Sequence, residues 1–389
     1  MATPSNSSAA ASLSEDEVTK AIASLIVFGF HGTTLDSHAR NLISLGAGGA
    51  IIFSRNVQNP EQVSRLCLDL KKAAGRRKLI IMVDQEGGTV SRLGPPFTPL
   101  PPARIFGHTG DPCAAAAMGN ILGKELRAVN IDMDLAPVVD VDSNPKNPII
   151  GDRSFGSSPS LVAEFGFEFI RSLQKEGVAA CAKHYPGHGD TFKDSHKELP
   201  SLSHKLDRLE KVELLPFAKA VDADVAAVMV AHISVPSLSA ETDNPEYPAT
   251  MSKGAIEHLT KKLHFEGVIV CDCLEMGAIL KGFSIEHAAL QALLAGVDML
   301  LICHTKQRQL SVIRALVKAV MDGSLPYWRV KEAGEKVANL ADIYVRSPNF
   351  QNAKFEESFQ HAKLELIGCK EHNELVENII HHAAVVHDG

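Results

Sequence analysis

No apolar run in this chain reaches the roughly 20 residues that a membrane-spanning helix needs. Basic residues are not in excess either: 39 Lys and Arg stand against 46 Asp and Glu, for a net charge of −7. No basic face therefore marks the chain for nucleic acid. The first residues, MATPSNSSAAASLSEDE, contain neither a basic residue nor an apolar core. They do not form a secretory signal, and residues 1–13 are expected to be a disordered leader. No GxGxxG follows the first strand-like run, which argues against a dinucleotide fold. The seven cysteines are odd in number, and several fall inside apolar runs. That suits packed thiols in a reducing compartment, and the cytoplasm is the expected location. Cys271 and Cys273, one residue apart, match neither a redox CxxC nor a zinc pair.

What the chain does have is a regular alternation. Apolar strand-like runs occur at Leu25–Phe28, Ala50–Phe53, Leu79–Val83, Met133–Leu135, Val178–Ala182, Ala226–Val230, Val268–Cys271 and Met299–Ile302. Amphipathic stretches lie between them, at 35–45, 60–74, 113–129, 158–175, 204–222, 252–264, 283–295 and 306–322. Buried runs alternating with helices argue for a parallel sheet. Eight such units argue for a TIM-type (β/α)8 barrel over residues 14–347, with an open doubly wound sheet as the alternative. Ser14 followed by Glu15, Asp16 and Glu17 opens the first helix. Residues 325–345 read as a final helix covering the barrel. Residues 348–389 read as a short extension: loop-like after Arg346, a helix at 371–381, then a strand start in HHAAVVHDG.

In a barrel of this kind, chemistry sits where the strands end at their C-terminal side. The third run is followed by Asp84, Glu86 and Arg92, and the fourth by a loop containing Asp140 and Arg153. His232 follows the sixth run and Asp272 the seventh. The fifth opens the stretch VAACAKHYPGHGDTFKDSHKELP, residues 178–200. It places Lys183 and His184 at a strand end, then a turn at Pro186–Gly189, then a polar loop. In that loop Asp194 and His196 are two residues apart, so in extended backbone the carboxylate reaches the imidazole. A carboxylate on one ring nitrogen fixes the tautomer and leaves the other nitrogen to move a proton. His196 is thus a candidate acid/base and Asp194 its orienting partner. Solvated loop polarity is the plainer reading of an isolated Asp-x-His pair. A metal site drawn from His184, His188, Asp190, Asp194 and His196 is a third, ranked lower because the spacing fits no finger or HExxH pattern. For Asp272, a helix-capping role and a role in chemistry are evenly matched on the residue alone.

The segments GGAIIFSRN, MVDQEGGTVSRL, DLAPVVDV, NPIIGDRSFG, AKHYPGHGDTFKDSHKELP, PATMS and FEGVIVCDCLEMGAI occur in this order between about Gly49 and Ile302. In them the chain resembles glycoside hydrolase family 3, in its β-N-acetylhexosaminidase branch. The resemblance implies a retaining exo-β-N-acetylglucosaminidase without a cofactor or metal. Asp272 would be its nucleophile, His196 its acid/base and Asp194 the dyad partner. It also implies sugar contacts at Asp84, Arg92, Arg153, Lys183 and His184. The expected partner is a small carbohydrate, an N-acetylglucosaminide from chitin oligomers or peptidoglycan fragments, with neither nucleic acid nor membrane. Thr89 stands where bacterial members often have Arg, and Asp152 where they often have Glu. The tail ELVENIIHHAAVVHDG resembles the start of the second domain of two-domain relatives. Two other functions share the same residues: a phosphorylase, in which phosphate replaces water, and a non-catalytic sugar-binding protein.

Overall fold

The eight apolar runs become eight short parallel strands: β1 Ile26–Gly29, β2 Gly49–Ile52, β3 Ile80–Val83, β4 Met133–Asp134, β5 Ala179–Tyr185, β6 Ala227–Val230, β7 Val268–Cys271 and β8 Leu300–Ile302. All of their residues are buried. They are seen in a computed structural model that describes residues 13–346 and 364–388. The leader, apart from residue 13, and the loop-like stretch after Arg346 lie outside the described residues.

The strands follow the order β8-β1-β2-β3-β4-β5-β6-β7, each parallel to the next. The Cys271 amide donates to the Met299 carbonyl at 3.0 Å, and the Met299 amide to the Ile269 carbonyl at 3.0 Å. These bonds bring β7 to β8 and nearly close the sheet as a barrel. A parallel sheet covered by helices buries both faces of each strand, which is why the runs are continuously apolar rather than alternating.

Helices occupy the amphipathic stretches. In the first, Glu15–Ala23, the Glu17 amide donates to Ser14 Oγ at 3.3 Å and the Ser14 amide to Glu17 Oε2 at 2.9 Å. The expected start signal is thus a full capping box. The stretch 204–222 splits into Leu206–Lys211 and Leu215–Asp222. Pro216 causes the break: it lacks the amide that a continuous helix would need there, yet suits the first turn of a new one. The helix expected to cover the barrel, Tyr327–Tyr344, is tied to it by Arg329, whose guanidinium lies 2.7 Å from buried Asp298.

The end of the chain corrects one expectation. HHAAVVHDG does not start a strand; Lys370–Asp388 is one helix. Val376, Ile379 and Ala383 recur at helical spacing and are buried. Before it, the Gly368 amide donates to Glu125 Oε1 at 3.0 Å, and His372 Nδ1 lies 2.8 Å from the same oxygen.

Candidate active site

Beyond β3 the chain folds into a small hairpin, Gln85–Gly87 against Val90–Ser91. Gln85 holds it in place. Its side-chain oxygen accepts from the Arg92 amide at 2.7 Å, and its own amide donates to Asp134 Oδ1 at 3.0 Å. Asp84 and Glu86, two residues apart, then face the same side. In β5, neighbouring Lys183 and His184 both line the cleft. Successive strand residues normally point to opposite faces, but the register between β5 and β6 shifts between Ala182 and Tyr185.

These groups join through charge. Lys183 Nζ is buried, 2.9 Å from Asp84 Oδ1 and 2.6 Å from Glu86 Oε1. Glu86 also takes Arg153 bidentately, Nε to Oε2 at 2.8 Å and the other prong at 2.9 Å. Burial alone would raise the Glu86 carboxyl, but Lys183 and Arg153 outweigh it and hold it far below the usual carboxylate range. An ammonium has three donors. Two of Lys183's are engaged here, which leaves one for a ligand. Arg92 lies 3.8 Å from Asp84, and its buried Nε has no protein partner. His184 is oriented by Asp140: Nδ1 lies 2.7 Å from Asp140 Oδ2, and Nε2 lies 3.4 Å from Arg153.

Asp272 lies directly after β7 and lines the same cleft, with its Oδ1 accepting from the Cys273 amide at 2.7 Å. Burial pushes its carboxyl up, but His232, His184, the Cys273 amide and Lys183 together bring it below its ordinary value. It is ionised throughout the neutral range. The His232 ring sits next to it, fixed by Thr250 at 2.8 Å and the Cys273 carbonyl at 3.1 Å.

The dyad forms as the spacing requires. His196 Nδ1 lies 2.9 Å from Asp194 Oδ1, and the same oxygen accepts the His196 amide at 2.8 Å. His196 remains 66% exposed and Asp194 26%, so its free ring nitrogen has access to solvent and to the cleft it lines. The Asp194 carboxyl is lowered despite burial by the His196 amide and ring, and then by Lys197.

All the sugar-contact candidates (Asp84, Arg92, Arg153, Lys183 and His184) come together with Asp272 and His196 in one cleft. The five candidate metal ligands, His184, His188, Asp190, Asp194 and His196, do not assemble among the described residues. His184 is paired with Asp140, and His188 uses both nitrogens on Thr191 and Ser195. Asp190 instead meets His204, with Glu213 close by. Both oxygens of Glu213 are held by Arg208 at 2.6 and 2.7 Å, so this group is an ion-paired strut at the foot of the loop. Sequence reasoning gave no role to Glu86 or to Asp140 as the partner of His184, and it considered His188 only as a metal ligand, where the structure has it bridging Thr191 and Ser195. Glu86 was within reach of the same same-side argument applied to Asp194 and His196. Nothing in the local sequence joins Asp140 to His184, which is 44 residues away.

Comparison with known proteins points the same way. The family model of the glycosyl hydrolase family 3 N terminal domain matches residues 17–340. Beta-hexosaminidase A of Pseudoalteromonas piscicida is 37% identical over 287 residues, 69% of this chain and 48% of that protein. The chain thus spans about half the length of that relative. A beta-hexosaminidase of Nitrosomonas eutropha is 34% identical over 322 residues, 80% of this chain and 90% of its own. The solved glycoside hydrolase family 3 beta-N-acetylglucosaminidase of Paenibacillus sp. str. FPU-7 superposes with a TM-score of 0.85 at 37% identity, over 93% of this chain and 68% of the other.

Proposed function

The chain belongs to glycosyl hydrolase family 3, and from that premise we propose that it removes a terminal β-linked N-acetylglucosamine by a retaining, two-step displacement. The observation that carries this reading is the pairing, within one cleft, of an ionised Asp272 with a His196 whose Nδ1 is held by Asp194.

In the first step the Asp272 carboxylate attacks the anomeric carbon. The bond to the leaving oxygen breaks as the outer nitrogen of His196 gives that oxygen its proton. The product is a glycosyl ester on Asp272. In the second step the now neutral His196 takes a proton from water. The oxygen of that water attacks the anomeric carbon, Asp272 leaves as carboxylate, and the sugar departs with its configuration retained. Retaining enzymes of the usual type set two carboxylates about 5–5.5 Å apart; here an imidazole with a carboxylate behind it takes the place of one. An imidazole suits that place because it can give up a proton in the first step and take one in the second. Lys183, Arg153, Arg92, Asp84 and His184 hold the sugar hydroxyls, and charge-assisted bonds of this kind orient the ring.

The substrates are N-acetylglucosaminides such as chitin oligomers or peptidoglycan fragments. All seven cysteines are free thiols, five of them buried, which supports a cytoplasmic setting. No helix among the described residues is long and apolar enough to cross a membrane. A second reading, transfer to phosphate, draws on the imidazole acid/base and the unpartnered Nε of Arg92, both tolerant of an anion. One assay separates them. On 4-nitrophenyl N-acetyl-β-glucosaminide, free N-acetylglucosamine with or without phosphate marks a hydrolase. Sugar 1-phosphate appearing only with phosphate marks a phosphorylase. No turnover in either buffer counts against both and favours a sugar-binding role.

A further inference from the structure

The dyad is too exposed to hold its own loop in place, because a solvent-exposed ion pair is worth at most about 1 kcal/mol. What holds the loop is the segment that follows Asp272. The Gly277 amide donates to the His196 carbonyl at 3.1 Å, and the Ala278 amide to the Ser195 carbonyl at 3.0 Å. The backbone on both sides of the acid/base group is therefore seated on the chain that leaves β7. This seat has no room for a side chain. A Cβ at position 277 would lie 2.5 Å from the His196 carbonyl oxygen and 2.8 Å from that of Lys197, both backbone atoms. Gly277 does not have a left-handed φ, so alanine is acceptable to its own backbone and only the docked loop excludes it.

A second fastening lies inside the loop. Thr191 Oγ1 has one proton and donates it to the His188 carbonyl at 3.0 Å. At 2.6 Å, His188 Nδ1 must then be the donor to that oxygen, which leaves Nε2 to accept from the Ser195 hydroxyl at 2.9 Å. Asn147 donates to the His188 and Gly189 carbonyls at 2.7 and 3.1 Å and closes the base of the turn. Gly187, at φ 122°, makes the sharp turn that starts it.

We propose that Gly277 and Ser195 are positioning residues, and that the acid/base group works only while the loop is seated on Gly277 and clasped through Ser195 to His188. The proposal rests on the reading of His196 as acid/base. It predicts that loosening the seat will act like a partial loss of His196, without loss of the fold.

The test compares wild type, Gly277→Ala, Ser195→Ala, Ser195→Thr and His196→Ala. The substrates are the methyl, 4-nitrophenyl and 2,4-dinitrophenyl N-acetyl-β-glucosaminides. Gly277→Ala should lose about 10- to 100-fold in kcat on the methyl glycoside and less than about threefold on the dinitrophenyl one, since acid help matters least to a good leaving group. KM should change little, and thermal melting should match wild type. Ser195→Ala, which adds no volume, should show the same pattern and decides the matter if Gly277→Ala does not fold. Ser195→Thr should restore the rate. Losses equal across leaving groups, or wild-type rates in both variants, would overturn the proposal. If His196→Ala itself shows no dependence on the leaving group, the reading of His196 fails first. If it shows that dependence and the two seat variants do not, only the seat is wrong.

Discussion

Glu86 holds Arg153 with both carboxylate oxygens, at 2.8 and 2.9 Å, while one of those oxygens also lies 2.6 Å from Lys183. Two candidate sugar-binding cations are thus positioned by a single buried carboxylate. Removing one partner of a buried ion pair costs about 3–5 kcal/mol, because the remaining charge is left uncompensated. Glu86→Gln keeps the shape and removes the charge. It should lower stability by about 3 kcal/mol in urea unfolding and cut kcat/KM on the 4-nitrophenyl substrate at least tenfold, with each tenfold worth about 1.4 kcal/mol. Wild-type kinetics in a folded Glu86→Gln protein would mean that Lys183 and Arg153 do not bind the sugar.

Asp272 has the least tolerance for change. Asp272→Asn is nearly isosteric and keeps the Cys273 amide bond to its oxygen, so the fold should survive. Without the carboxylate no glycosyl ester forms, and turnover should fall on the order of 10³-fold or more, about 4 kcal/mol of barrier. Incubation with a 5-fluoro glycosyl fluoride of N-acetylglucosamine should add one sugar mass to the wild-type protein and none to the variant. An adduct on the variant would point to a different nucleophile.

The barrel was legible because its strands are buried on both faces, and burial writes itself into sequence as short β-branched runs such as Val268-Ile269-Val270. Charges placed straight after those runs were legible for a related reason: a strand end fixes where the next side chain is delivered. The partners of those charges were not. Asp140 meets His184 and Glu86 meets Arg153 only because separate loops return over the same end of the barrel. The docking of His196 on Gly277 was hidden for another reason: it is a bond between backbone atoms, and only a missing side chain betrays it. The tail misled because HHAAVVHDG contains a β-branched pair, Val385-Val386, while the positions that decide its state, Val376, Ile379 and Ala383, match a helix docked on the barrel.

His196→Ala isolates the proton-transfer step. Loss of general acid help costs about 10²–10⁴-fold where the leaving group needs its proton, and little where it does not. The variant should therefore fall steeply on the methyl glycoside and mildly on the dinitrophenyl one. Asp194→Asn should show the same trend with a smaller slope, because the imidazole remains but loses the carboxylate that holds its tautomer. A log-rate plot against leaving-group pKa gives both slopes. A His196→Ala slope equal to that of wild type would rule out the acid role.

Acid should weaken the protein through His188 before it reaches Asp140 and Asp272. Burial, with His184 next to it, pushes the His188 imidazole down to about 4, against the opposing pull of Asp140 and Asp272. In the unfolded chain the same ring takes up its proton near 6.5. Between these values the unfolded state binds more protons, so stability falls as pH falls through that window. The full contribution is present above about pH 6.5 and is gone below about pH 4, a loss of about 3 kcal/mol. His232, also lowered by burial, acts with the same sign. Asp140 and Asp272, held below their ordinary values, add their losses only in stronger acid. Urea unfolding at pH 7, 5.5 and 4.5 should give midpoints that drop steadily. In His188→Gln the drop should be shallower, since one titrating ring is gone and the amide can still bridge Thr191 and Ser195. Parallel slopes for the two proteins would show that His188 does not carry the acid sensitivity.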